Sequence, residues 1–276
     1  MRKPLKFGRI IRNVFLLFVL IFSVGPILLL FLTALKSKSD FMVNSFGLPT
    51  KLVFENIPRA WIDGGYTIAY RNSIIVGLCT IIIVTLFGGA CAYALAKMKF
   101  MGNSAILTYL ILAMSVPIGM CLIPLFFVWQ RLHLMGSLFG LIIIYSGIYL
   151  PFNTIFLRAF FVGIPDALLE SGKIDGCSDL QNLFCIVLPI AKPAILTVSL
   201  LVLLSTWNEF FFANAFINDD KWKTVATRYL TFTGTFSSDW TMICAAGAVA
   251  LLPMMIFYLI FQRNFIEGLT AGSVKG

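Results

Sequence analysis

The chain has 276 residues, 59% of them hydrophobic and 12% charged, with a mean hydropathy of +0.94. Soluble domains are about 45–50% apolar and about 25% charged, so this chain lacks the polar surface to fold in water and reads as an integral membrane protein. Its formal charge of +9 is thinly spread, with no polar domain to carry it, which favours anionic lipid over nucleic acid as the counterpart.

A membrane helix needs about 20 mostly apolar residues to cross a hydrocarbon core of about 30 Å. Stretches free of Asp, Glu, Lys and Arg run over 13–35, 72–96, 100–130 and 132–157. Two more cover 193–218, interrupted only by Glu209, and 240–262. The predicted fold is all-α and polytopic, with six transmembrane helices. The expected divisions are an N-terminus at 1–12, a first helix at 13–35, an external segment at 36–71, a five-helix core at 72–262 and a tail at 263–276.

Arg2, Lys3, Lys6, Arg9 and Arg12 precede the first span and place the N-terminus in the cytoplasm; alternation then puts the C-terminus there too. The apolar run is too long for a signal-peptide core and no A-x-A pattern follows it, so the helix is read as uncleaved. In the second span, Gly88/Ala92 and Ala90/Ala94 have small-xxx-small spacing, which suits a bundle centre or subunit interface and equally suits ordinary packing. Pro117, Gly119 and Pro124 predict a kink or break in the third. Five of the six cysteines lie in apolar surroundings, Cys177 lies in a polar loop, and no CxxC occurs, so they are read as small buried side chains. One histidine, His133, builds no histidine metal site by itself.

The loop at about 162–193 is too polar to span. Pro165 suits the first turn of a helix with Asp166 beside its positive end, and that helix is predicted to run to about Lys173, closed by a turn at Asp175-Gly176. Ser178-x-x-Gln181 has the form of a capping box. Leu180, Leu183, Phe184, Val187 and Leu188 then recur at helical spacing until Pro189 stops the run. Two short amphipathic helices on the cytoplasmic face follow. Composition leaves two readings open: an interfacial helix on lipid, or a rigid lever that docks on a soluble partner.

Glu170-Ser171-Gly172, Asp175-Gly176 and Ile186-x-Leu188-Pro189 resemble the EAA loop of ABC importer membrane subunits. Leu150-Pro151-Phe152-Asn153 with Arg158-x-Phe160-Phe161 and Ile164-Pro165 resembles the fourth helix of the carbohydrate-uptake branch. So do Trp207-Asn208-Glu209-Phe210 and the tail from Gln262 to Gly276. Order and spacing together resemble the six-helix, maltose-permease-G-like subunit over nearly the whole chain. One departure stands out: the family usually has two alanines after the glutamate, where this chain has Ser171 and Gly172. A helical glycine costs up to about 1 kcal/mol relative to alanine, so a looser turn is expected here.

The resemblance implies a type I ABC importer permease fold with a cytoplasmic coupling helix pair, in a bacterial plasma membrane. The chain pairs with a second homologous permease subunit, two ATPase subunits and an extracellular solute-binding protein, and no nucleic acid. It carries no cofactor; ATP and Mg sit on the ATPases, in keeping with the absence of a G-x-x-x-x-G-K-[ST] motif. It is therefore not itself an enzyme. Glu170, Ser171, Gly172, Asp175, Gly176, Leu180, Leu183, Phe184, Leu188 and Pro189 are the implied coupling residues. Glu267 and Gly268 in the tail resemble a segment that reaches toward the ATPase.

Trp207, Asn208 and Glu209 suit a sugar, whose surface mixes apolar C–H faces with hydroxyls. Asn153, Tyr145, Tyr149 and Asn214 are further candidates for a polar path. Intramembrane charge is usually functional, yet Glu209 serves equally as a structural partner for another helix. The segment 39–68, with Trp61 and Gly64-Gly65, suits either the binding protein or a plain solvated loop. The expected cargo is a sugar, an oligosaccharide foremost, with glycerol-phosphate or polyol cargo as the alternative. A secondary carrier is the weaker rival, since no internal repeat and one intramembrane carboxylate are found. An intramembrane serine protease is poorer still, because Ile144 stands where its G-x-S-G motif needs glycine.

Overall fold

The computed structural model describes residues 6–233 and 239–271, with side chains described for 8–233 and 239–263. Among these residues all regular structure is helical. Two compact units form: the chain to Thr67 with Arg228–Pro253, and Ile68–Thr227 with the chain from Met254 onward.

In the first unit, α1 (Lys6–Ala34) has none of its most apolar stretch buried. The segment after it is folded rather than slack. Helices α2 (Lys38–Val43) and α3 (Asn56–Asp63) are pinned to the end of α1 by buried polar groups. The Lys36 ammonium, fully buried, donates to Asn44 O at 2.6 Å, and Asn56 Nδ2 donates to Ala34 O at 2.9 Å and Lys36 O at 2.8 Å. Burying an ammonium is costly unless its protons are bonded, and here chain reversal supplies the carbonyls.

The helix α4 (Tyr66–Lys97) begins inside the expected external segment, because Arg71 ends the charge-free stretch without ending the helix. In the second unit its small residues let neighbours approach. A Cβ on Gly88 would lie 3.1 Å from Thr154 Oγ1, and Ala92 is fully buried, whereas Ala90 is exposed. The Gly88/Ala92 row therefore packs within the chain and the Ala90 row faces outward.

The third span breaks as its prolines predict. Helices α5 (Asn103–Ser115) and α6 (Leu122–Arg131, entered through a 3-10 turn at Ile118–Cys121) are bent by 89°. Val116, before Pro117, is forced to extended backbone at φ −76°, ψ 123°. Helix α7 (Leu138–Val162) follows, capped by Ser137, whose Oγ accepts from Gly140 N at 3.0 Å.

The polar loop folds as α8 (Asp166–Ile174), α9 (Asp179–Asn182), a π-turn over Leu183–Val187 and α10 (Leu188–Ile190), turning by 81° into α11 (Lys192–Asn208). Pro189 does not stop the helix as expected. It has no N–H to give, and its ring would crowd the carbonyl four residues back. The wider turn, in which Leu188 N donates to Leu183 O, accommodates it. Helix α11 ends at Asn208, and α12 (Phe211–Phe216) restarts after extended Glu209. Helix α13 (Val225–Arg228) and α14 (Trp240–Ala271) complete the chain; α14 runs past the expected end of the sixth span at residue 262.

Four helices are long and apolar enough to cross a membrane, and up to six spans result if each bent pair counts as one. The six cysteines are free, but they are not the buried side chains expected: five are half-buried, and Cys185 is exposed on the outer side of the π-turn.

Candidate functional site

Sequence placed the candidate coupling residues on two short helices, and the geometry shows how they are held. Helix α8 ends in a Schellman motif: Gly176 N donates to Lys173 O at 3.1 Å and Cys177 N to Gly172 O at 2.8 Å. This requires left-handed backbone at Gly176, whose φ is +87°. The capping box forms in full, with Gln181 N donating to Ser178 Oγ at 3.3 Å and Ser178 N to Gln181 Oε1 at 2.7 Å.

The predicted apolar residues divide between two faces. Leu183 and Val187 are buried with Leu157 and Phe161 of α7, Ala92 of α4 and Val198 of α11, so the second helix is rooted in the bundle core. Leu180 is 68% exposed and Phe184 50%, and Ile174, absent from the sequence candidates, is 86% exposed. With exposed Glu170, Ser171, Asp175 and Gly176 they form a partly apolar outer face. Leu188 is half-buried, Pro189 is exposed and Gly172 is buried. Leu180, Phe184 and Ile174 give the loop exposed apolar surface.

Sequence reasoning missed the tie from this loop to α4. Lys97 Nζ, nearly buried, donates to Asp166 Oδ1 at 2.6 Å and Ile164 O at 2.5 Å. The ammonium bond and charge hold the Asp166 carboxyl below the usual carboxylate range. The pair therefore persists as pH falls until it reaches that lowered value, where protonation breaks it. The only signal in the sequence was a lysine ending a span and an aspartate beginning a helix. Both line a cleft of about 430 Å³ with Tyr93, Leu169, Glu170 and Lys173.

The polar-path candidates do not gather on one surface. Tyr145, Asn153 and Trp207 are buried, Tyr149 and Glu209 half-buried, and Asn208 and Asn214 exposed. Trp207 meets Tyr70 edge-on with ring centroids 5.3 Å apart. Asn153 Nδ2 donates to Tyr149 O at 2.6 Å. Glu209 closes the break in the fifth span: Phe212 N donates to its Oε1 at 2.9 Å, Ala213 N to its Oε2 at 3.1 Å, and the Tyr145 hydroxyl to Oε2. These are the orphan amides at the start of α12, satisfied by a carboxylate at the positive end of the helix. A separate apolar cleft of about 410 Å³ opens at the break in the third span, lined by Tyr109, Leu112, Met114, Val116 and Ile148 among others.

Residues 84–270 match the family described as binding-protein-dependent transport system inner membrane component. The chain belongs to this family. The permease is 32% identical to the probable ABC transporter permease protein YurM of Bacillus subtilis, over 95% of this chain and 87% of that one. It is 30% identical to the arabinooligosaccharides transport system permease protein AraQ of the same organism, over 97% and 96%. Its fold matches a crystal structure of a bacterial ABC transporter involved in the import of the acidic polysaccharide alginate, with a TM-score of 0.85, 24% identity and coverage of 96% of this chain and 100% of the other. It is a membrane-embedded transport component, with the all-α permease fold of ABC importers.

In the permease Glu267 and Gly268 fall on α14, but their side chains lie outside the described residues. Tyr145→Phe removes one of three donors to Glu209 and leaves both amides in place. A loss of about 1 kcal/mol is expected, read as a small drop in the unfolding midpoint of the purified complex in detergent.

Proposed function

We propose that the permease forms one membrane half of an ATP-driven importer that carries a sugar into the cell. A second permease subunit supplies the other half, two ATPase subunits bind ATP and Mg, and an extracellular binding protein delivers the cargo. The observation that carries this reading is the loop built on α8 to α10. Its inner face is rooted in the bundle core through Leu183 and Val187, and its outer face, with Glu170, Ile174, Leu180 and Phe184, is open for an ATPase. A lipid-lying helix needs its ends capped as well, but it has no need of an inner face packed into the bundle core, for which the lever reading has a use.

ATPase closure pushes on the outer face. The second helix transmits the push to α7 and α11, and the Lys97–Asp166 tie carries it to α4. The basic N-terminus supports cytoplasmic termini. The segment from Lys36 to Gly65, folded onto the end of α1, faces outward and meets the binding protein. An oligosaccharide is the favoured cargo, supported by the naming of AraQ for arabinooligosaccharides and of the fold relative for a polysaccharide. Trp207 to Glu209 contribute to the path, with Glu209 shaping it rather than contacting sugar in the state described here.

The test is purification of the tagged permease from its host in mild detergent with identification of stoichiometric partners. A second multi-helix subunit and two ATPase copies are expected, and Glu170→Ala is expected to lower ATPase recovery at least about tenfold, as loss of a central charged interface contact does. Solute uptake into liposomes by the permease alone, without ATP, would overturn the reading in favour of a secondary carrier.

A further inference from the structure

Helices α8 and α9 meet at one unusually close point. Gly172 is buried, and a Cβ built on it would lie 2.3 Å from Asn182 Oδ1 and 2.8 Å from Ile186 Cδ1. No real Cβ sits that close, so the Asn182 carboxamide occupies the space an alanine would need. Asn182 is fully buried. Its Nδ2 donates to Leu169 O at 3.2 Å, one turn before the glycine, while its Oδ1 has no hydrogen-bond partner among the described residues. A buried amide oxygen left unpaired is a cost. It is accepted here in exchange for one bond and a close fit.

We propose that Asn182 is the positioning residue of the coupling loop: seated on Gly172 and bonded to the Leu169 carbonyl, it fixes the angle between α8 and the second helix. The proposal deepens the coupling role given above to Glu170 and its loop, and rests on it. It also changes the meaning of the glycine at 172. The turn is not looser for lacking a methyl group, because volume lost from α8 is returned by α9.

The other link between the two helices is weaker. Lys173 and Asp179 pair at 3.0 Å, but both are about half exposed, and an exposed pair contributes little. The clasp lies inside, where a directional bond sets the register. Sliding either helix by one residue removes the Leu169 carbonyl from reach and drives the backbone of α8 into the amide. Asn182 also immediately precedes the π-turn, whose Leu183 is rooted in the core. Motion of α8 relative to the bundle therefore passes through this contact as well as through Leu169, buried in the bundle core, and the Lys97–Asp166 tie.

The experiment uses the complete complex in proteoliposomes and reads solute imported per ATP hydrolysed, a ratio that changes in folding yield do not move. Gly172→Ala overfills the contact, and Asn182→Leu keeps the branched shape of the side chain but cannot donate. Each is expected to lower the ratio about tenfold. The double variant Gly172→Ala/Asn182→Ala returns a methyl to α8 and removes the amide it would strike. It still lacks the donor, so its ratio is expected to stay within about threefold of that of Asn182→Leu and not to fall a further tenfold, since contacting residues couple. Losses that simply multiply in the double variant, or an unchanged ratio in Asn182→Leu, overturn the clasp. If Gly172→Ala fails to assemble, Asn182→Leu still decides. Glu170→Ala separates the two levels: if it leaves ATPase association intact, the coupling reading itself has failed, whereas loss of association with an unchanged ratio in Asn182→Leu refutes the clasp alone.

Discussion

Replacing Glu209 by leucine is expected to destabilise the permease by about 3 kcal/mol or more, because three donors lose their acceptor at once. The amides of Phe212 and Ala213 are orphaned at the start of α12, and the Tyr145 hydroxyl loses its partner inside a buried cluster. Phe212 and Ala213 are themselves buried, so little rescues them. Glu209→Gln keeps one acceptor oxygen, and so is expected to cost roughly half as much. The pair of variants also decides between the two uses of this carboxylate. If Glu209 shapes the path, transport by the glutamine variant falls only in proportion to recovered complex. If it binds cargo directly, transport by Glu209→Gln falls well beyond the loss of recovered complex. Thermal unfolding and uptake measured on the same preparations separate the two.

Glu209 also shows what the sequence left hidden. Hydropathy identified it as the one acid in an apolar stretch, which made it notable without revealing its partners. Those partners are backbone amides three and four residues on, available only because the helix breaks there, and no residue pattern announces that break. The break at Pro117 was legible, since a proline has a stated effect on the residue before it. The capping box and the Asp175-Gly176 turn were legible for the same reason: local chemistry fixes them over a few residues. Long-range choices were not. The backbone carbonyls that bind Lys36, the Lys97–Asp166 pair and the seat of Asn182 on Gly172 all join positions whose spacing carries no signal. The π-turn hid because helical spacing at Leu180, Leu183, Phe184 and Val187 fits an ordinary helix as well. Only the proline at 189 hinted that the turn must widen.

The candidate site divides along the same line. The candidate coupling residues could be grouped from sequence because they lie within twenty consecutive positions. Their division into an inner face and an outer face was not, since it depends on where α4, α7 and α11 sit. The polar-path candidates, chosen by residue type from two spans, scatter between buried and exposed positions.

The second large effect concerns Gly176. Substitution by valine is expected to reduce ATP-dependent uptake at least about tenfold while leaving the spans folded, because a β-branched residue is a true outlier at positive φ. The obstacle is conformational and not steric: nothing lies within 4 Å of a Cβ built there, yet φ is +87°. Two bonds of the Schellman motif depend on that backbone, from Gly176 N to Lys173 O and from Cys177 N to Gly172 O. Losing it lets α8 run on or unwind, and the carbonyl of Gly172 is released beside the Asn182 amide. The stability cost is only about 1–2 kcal/mol, too small to unfold a bundle but enough to shift the angle of a lever most of the time. A graded series checks the cause. Asn tolerates left-handed backbone better than other side chains, so Gly176→Asn is expected to keep most uptake, with Gly176→Ala intermediate and Gly176→Val lowest. If valine and asparagine reduced uptake equally, the backbone argument would fail and a surface contact at Gly176 would have to replace it.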